Sequence, residues 1–342
     1  MTFDFHQRLD IAGRQVGPGQ PVFIVAEAGV AHFGSLEKAL RLIDLAAGAG
    51  ADAVKFQIFQ TDALICPAAP QWRARLGSRE LPFAAFERLA AHCRERGIIF
   101  LATAHDEPSL EFLDTLDVPA YKVGSGEVNN WAFIEKVAGR GRPVIISTGM
   151  YSWPEVEAAA RAVAAAGNRS LALLHCVTRY PTPPAEVNLR AMDRLRERLR
   201  VVTGYSDHTA GYHIPLAAVA RGAAILEKHI SLDFDVPDAQ DWKVSCGPHD
   251  LARMVAEVRE VEAALGSGEK APSAGELASK AWARKSLVAA QTIEAGEVIA
   301  AEMLAAKRPG TGIAPEDIGL VVGRRARRRL EAGSLIGPED LL

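Results

Sequence analysis

The chain has little of what marks a secreted, membrane-spanning or nucleic-acid-binding protein. Its four cysteines, Cys66, Cys93, Cys176 and Cys246, form no Cys-x-x-Cys pair in 342 residues. That argues against a disulfide framework or a zinc module and for reduced thiols, mostly packed in the core of a cytoplasmic protein. No apolar run approaches the roughly 20 residues of a membrane span, and residues 1–10 carry no apolar signal core. Lys and Arg (39) nearly balance Asp and Glu (42), for a net charge of −3. There is thus no general basic surface for nucleic acid or anionic lipid, and neither is expected as a partner. The one basic run, Arg324-Arg325 with Arg327-Arg328-Arg329, is short and reads as a solvated face.

What is present is a repeated theme of short β-rich run, polar loop and helical stretch. The runs fall at 22–28, 53–59, 98–103, 120–123, 144–147, 171–176, 201–205 and 224–229. They are continuously apolar rather than alternating, as expected of parallel strands covered on both faces. Helical stretches lie between them. One follows Ser35, a good N-cap, and another opens on the capping box of Ser152 and Glu155. Another carries Leu251, Met254, Val255, Val258 and Leu265 on one face and stops at Gly266. Eight such units in about 265 residues match a (β/α)8 TIM barrel. A doubly wound open sheet is the competing fold, but no Gly-rich turn follows the first strand. Residues 266–282, with Gly-Ser-Gly and Ala-Pro-Ser, read as a linker between a barrel domain, 1–265, and a module of short strands and turns, 283–342. That module is too small to bury much core alone.

In a TIM barrel the chemistry sits at the C-terminal ends of the strands. In chain order those ends deliver Glu27; Lys55 and Gln57; Thr103 and His105; Lys122, Ser125 and Glu127; Ser147 and Thr148; His175, with Tyr180 just beyond; Ser206, Asp207 and His208; and Glu227, Lys228 and His229. Each ionisable group on a buried strand costs desolvation energy unless it is paired or functional, so this density points to a site. Two lysines and several hydroxyls suit a small anion such as a phosphate ester. His208 and His229 end adjacent strands and could share one divalent metal, although a lone strand-end histidine is commonly a hydrogen-bonded structural residue. Glu27 could act as a base or orient a water, and either lysine alone could be a structural ion pair.

At this point the sequence resembles a known family. "FIVAEAGVAHFGSLEKALRLIDLAAGAGADAVKFQIF", "YKVGSGEVNN", "PVIISTGM", "LLHCVTRYPTPPAEVNLRAM", "GYSDHTAGYHIPLAAVARGAAILEKHISLD" and "KRPGTGI" are similar, in order, to signatures of the N-acetylneuraminate (sialic acid) synthases. Residues from about 283 onward resemble an antifreeze-protein-like (SAF) domain. The resemblance implies a barrel that condenses phosphoenolpyruvate with an aldose such as N-acetylmannosamine, using a divalent metal, manganese or magnesium, held by His208 and His229. It implies proton or water handling by Glu27. Phosphoenolpyruvate would be held by Lys55, Lys122, Ser125, Ser147 and Ser206, with Thr103, Glu127, Tyr180 and Asp238 as further substrate-binding positions. It also implies a homodimer in which the C-terminal domain caps the partner's active site and brings Arg308 to the sugar.

The departures from the family pattern cluster where the sugar would bind. Ala31-His32-Phe33-Gly34 stands where Asn-His-Asn-Gly is usual, Thr178 where Asn or Ser is usual, and Ala104-His105 where Pro-Phe is usual. The segment 237–245, which contains Asp238, is three residues longer than its counterpart. A rarer amino or diamino sugar is therefore an alternative acceptor. Two other readings compete: a metal-free Schiff-base aldolase using Lys55 or Lys122, and a carbohydrate-binding protein on an inactive barrel.

Overall fold

The computed structural model describes residues 3–237 and 239–342, which form two compact units, one running to Gly266 and the other from Ser267 to Leu342. The first opens with a short antiparallel hairpin, β1 (Leu9–Ile11) and β2 (Arg14–Val16). Eight parallel strands follow: β3 (Phe23–Gly29), β4 (Ala53–Ile58), β5 (Ile99–Ala104), β6 (Tyr121–Val123), β7 (Val144–Ser147), β8 (Leu171–Cys176), β9 (Val202–Asp207) and β10 (Ile225–His229). They close into a barrel as β10 pairs with β3. The barrel expectation holds, and each of the eight apolar runs overlaps one barrel strand. No helix among the described residues is long and apolar enough to cross a membrane.

Strand periodicity divides the side chains into two cores. Outward residues such as Ile24, Val54, Phe56, Ile146 and Leu173 pack under the surrounding helices. Inward residues, among them Phe23, Val25, Leu101, Ile145, Leu174, Val202 and Ile225, fill the barrel's lower half. Leu9, Ile11 and Val16 belong to that inner core, so the hairpin plugs the end where the strands begin. Burying each of these three is worth roughly 1.5–3 kcal/mol. Above this apolar fill, the inward positions turn polar.

The capping box of Ser152 and Glu155 forms, at the head of the helix Trp153–Ala165. Ser35 caps Leu36–Gly48 by accepting from the Lys38 N–H, and Pro248–Leu265 stops at Gly266.

The second unit has its own small core: Leu287, Ala289, Ile293, Ile299, Val321, Ala326, Leu330, Ile336 and Leu341. They sit about an antiparallel pair, β11 (Ser286–Ala289) and β12 (Leu304–Lys307). A helix, Ala274–Ala283, occupies part of the stretch read as linker; its Ser273–Glu276 capping box explains its start.

Candidate active site

The polar inward residues meet in a cavity of about 170 Å³ at the C-terminal ends of the strands. Register sets their neighbours: Glu27 pairs with Lys55 across β3 and β4, Gln57 with Thr103 across β4 and β5, and Thr103 with Lys122 across β5 and β6. The register of β3 on β4 slips between Glu27 and Gly29. Gly29 adopts φ +52°, and a Cβ there would lie 3.2 Å from Glu27 Oε1, so a glycine lets the bulge close beside the carboxylate.

Lys55 Nζ sits 2.7 Å from Glu27 Oε2 and donates to Thr103 Oγ1 at 3.1 Å. Lys122 Nζ donates to Ser147 Oγ at 2.7 Å. Between the two lysines lies Glu227, 3.8 Å from each and accepting from Ser206 Oγ at 2.9 Å. Ser125 Oγ accepts from the Gly149 N–H at 3.0 Å. A Cβ at Gly149 would come within 2.2 Å of Thr178 Oγ1, so that turn requires glycine.

Burial pushes the Glu27 carboxyl above its ordinary range; Lys55 opposes the shift and Glu227 adds to it. Burial also acts on Glu227, but Lys122, Lys55 and the Ser206 hydroxyl outweigh it and bring its pKa down to about 2. Desolvation works against the Lys55 ammonium, yet Glu227 and Glu27 raise its pKa on balance. For Lys122 desolvation wins and the pKa falls. Glu227 and Lys55 are therefore the fixed charges, while Glu27 and Lys122 are the groups readiest to exchange a proton.

Across the cavity, the His208 and His229 rings lie 5.2 Å apart, centroid to centroid, with Tyr180 against both. His208 Nδ1 is 2.7 Å from the Val177 carbonyl, which can only accept. Nδ1 therefore donates there, and Nε2 lies 2.9 Å from the Tyr180 hydroxyl. Burial lowers the His229 pKa and keeps that imidazole neutral. Two facing imidazoles, one oriented by a carbonyl, suit a divalent metal. Among the described residues no group of three or more His, Cys, Asp or Glu forms a metal site. The chain would thus supply two ligands and leave the remaining positions to water and substrate.

The structure brings Glu27, Lys55, Thr103, Lys122, Ser125, Ser147, Tyr180, Ser206, His208 and His229 to this one cavity. Glu127 is buried beside it, accepting from Asn130 Nδ2 at 2.7 Å, but does not line it. Asp238 lies outside the described residues. Arg308 belongs to the second unit, where it is exposed, donates to the Ala283 carbonyl at 3.0 Å and lies over the Trp282 ring. His175 turns out of the barrel, its Nε2 2.6 Å from the Val187 carbonyl and its ring near Tyr205. The residue that faces inward at this strand end is Cys176, which sequence reasoning assigned to core packing. Its Sγ is 3.6 Å from His208 Nδ1. The two-residue alternation from inward Leu174 was the signal that would have found it. Gln57, His105 and Glu227 also line the cavity; their strand-end positions were visible, but not their use.

Opposed charges buried around one cavity at the top of a (β/α)8 barrel define an enzyme, since a binding module has no need to hold two ammonium groups and two carboxylates out of water. Residues 42–270 match the NeuB family and residues 284–342 a SAF domain. The chain belongs to the NeuB family. It is 38% identical over 337 residues to the N,N'-diacetyllegionaminic acid synthase of Legionella pneumophila, covering 94% of each chain. It is also 38% identical over 341 residues to the N-acetylneuraminate-9-phosphate synthase of Homo sapiens, covering 96% of this chain and 94% of the other. The crystal structure of the N-acetylneuraminic acid (sialic acid) synthetase of Leptospira borgpetersenii matches with a TM-score of 0.75 at 35% identity, over 80% of this chain and 95% of the other.

Proposed function

We propose that this enzyme joins phosphoenolpyruvate to an aldose, N-acetylmannosamine or a related amino sugar, giving a sialic- or nonulosonic-type acid and phosphate. The observation that carries the reading is the convergence of Lys55 and Lys122, with their hydroxyl partners, on a cavity whose far side is a histidine pair. The anionic groups of phosphoenolpyruvate would take over the Lys122–Ser147 and Lys55–Thr103 contacts and add donors from Ser125 and Ser206. The methylene carbon of phosphoenolpyruvate attacks the aldehyde carbon, whose oxygen takes up a proton, leaving positive charge at the carbon that bears the phosphate ester. Water adds there, giving its proton to Glu27, whose raised pKa suits a base near neutral pH. Cleavage of the carbon–oxygen bond of the tetrahedral adduct then releases phosphate, and the added hydroxyl gives up its proton as the keto group forms. A manganese or magnesium ion at His208 and His229 would polarise the aldehyde.

The decisive experiment is phosphate release from phosphoenolpyruvate against a panel of aldoses, with products identified by mass spectrometry. No release with any aldose would sink the reading. The lowered pKa of Lys122 also suits a Schiff-base nucleophile. Borohydride with pyruvate should nevertheless leave no adduct on Lys55 or Lys122, and a trapped adduct would replace the synthase with an aldolase. Lys122→Met removes one charge-assisted contact of about 1.5–3 kcal/mol. The expected result is at least a roughly tenfold fall in kcat/KM for phosphoenolpyruvate; an unchanged value would remove Lys122 from the site.

We further propose a homodimer in which the second unit caps the partner's barrel and Arg308 reaches the partner's sugar. The exposure of Arg308 supports this, and its planar fork suits paired hydroxyl or amide acceptors. Mixing Arg308→Ala with His208→Ala subunits should restore activity above either parent, because one site of each mixed dimer is then complete. Absence of rescue after subunit exchange would place Arg308 in its own chain's site or outside catalysis.

A further inference from the structure

His105 has no part in the reaction just described, yet it is built into the cavity. It follows β5, two residues beyond Thr103 and on the same inward face. A Cβ built on Gly124 would have His105 Cε1 at 3.6 Å and Thr103 Cγ2 at 3.7 Å as its nearest neighbours. The imidazole therefore stands over the Gly124–Ser125 turn, at the lysine end of the cavity. In the closed barrel β3 and β4 separate β5 from β10, and β6, β7 and β8 separate it from β9, so His105 is far round the ring from the His208–His229 pair. Its Nε2 is buried and has no hydrogen-bond partner among the described residues. A buried polar atom left in that state calls for a ligand or a water. Burial, with Lys55 and Lys122 adding, lowers its pKa to about 4, so the ring is neutral and has one N–H to give. The resembled family usually has phenylalanine here, which offers no such donor.

We propose that His105 is a phosphate ligand, donating its Nε2–H to an oxygen of the phosphate monoester that Lys55 and Lys122 attract. An ionised phosphate oxygen only accepts, so it selects the Nε2–H tautomer and satisfies the orphan nitrogen. The assignment rests on the phosphoenolpyruvate reading above for which phosphate is bound. A phosphorylated acceptor sugar would present the same chemistry.

The test compares the full-length wild type with His105→Phe and His105→Gln. The first swaps in the family's usual residue; the second restores a donor of similar reach. Inorganic phosphate binding by calorimetry is the first readout, and the separate KM values for phosphoenolpyruvate and for the acceptor are the second. His105→Phe should bind phosphate and phosphoenolpyruvate about tenfold more weakly, as expected for loss of a bond to a charged group. The acceptor KM should stay unchanged, and His105→Gln should recover most of the loss. Phosphate affinity and phosphoenolpyruvate KM both at the wild-type level in His105→Phe would overturn the proposal. So would a change confined to the acceptor KM, which would move the ring to the sugar's side. If the wild type fails to consume phosphoenolpyruvate at all, the synthase reading falls by itself, while the inorganic phosphate comparison still decides His105.

Discussion

A His208→Ala protein is expected to fold, to lose divalent-metal binding, and to lose more than about a hundredfold in kcat/KM. The scale follows from the 10–100-fold that removal of mere outer partners of metal ligands costs; a ligand itself should cost more. His208 and His229 are the two imidazoles that face each other on one side of the cavity, and no wider His, Cys, Asp or Glu cluster among the described residues stands ready to replace either. His208→Ala removes the imidazole, while the Val177 carbonyl keeps the Arg179 N–H as a donor at 3.0 Å. Calorimetry with manganese should show the wild-type isotherm vanish in the variant, which separates the binding defect from any catalytic one. EDTA should silence the wild type and added manganese or magnesium should restore it. Full turnover in metal-stripped wild type would refute the metal assignment, and unchanged manganese affinity in His208→Ala would place the ion elsewhere.

The sequence announced the barrel because a parallel strand buried on both faces must be apolar throughout, and each such run ended in polar or charged residues. The same physics made Lys55, Lys122, His208 and His229 visible: ionisable groups at the ends of buried strands are too costly to be incidental. What stayed hidden has equally physical reasons. The β1–β2 hairpin consists of three-residue strands, too short for any periodicity to emerge, although its Leu9, Ile11 and Val16 are as deeply buried as the barrel. Strand ends give a residue's position but not its direction. Hence the sixth strand end reads as delivering His175, which faces the helices, while Cys176, which faces the cavity, falls among cysteines read as mostly core. Glu227 could be seen ending a strand, but its place between two lysines depends on the register of β10 against β3 and β9, which only closure of the barrel sets. Within 266–282, Gly-Ser-Gly and Ala-Pro-Ser masked a helix that has its own capping box.

Lys228→Met is expected to destabilise the barrel by about 3–5 kcal/mol, the cost of leaving a buried charge without its partner. Lys228 alternates with the inward Glu227 and His229 and points the other way, toward Asp207, which alternates with inward Ser206 and His208. The two side chains are completely buried, with Nζ 2.5 Å from Asp207 Oδ2 and 2.8 Å from the Thr209 carbonyl. Asp207 accepts in addition from the Tyr205 hydroxyl at 2.8 Å and from Thr209 Oγ1 at 2.9 and 3.1 Å. The two Lys228 contacts tie the end of β10 to that of β9 behind the two histidines, and the other three brace Asp207 from its own strand, so the ion pair holds together the strand ends that carry the imidazoles without touching the cavity. Methionine keeps most of the lysine's volume, and the loss should come from the stranded carboxylate rather than from a void. The double variant Asp207→Asn with Lys228→Met removes both charges and should recover most of the stability, because an apolar and amide pair there carries no uncompensated charge. Denaturant unfolding of the single and double variants measures the coupling directly. A single variant within about 1 kcal/mol of wild type, the range of an exposed pair, would show that water reaches Asp207 and that the lock is not dry. If the pair does set the imidazole spacing, the double variant should regain stability while its manganese affinity stays below wild type, since neutral groups hold the two strand ends less firmly than the ion pair does.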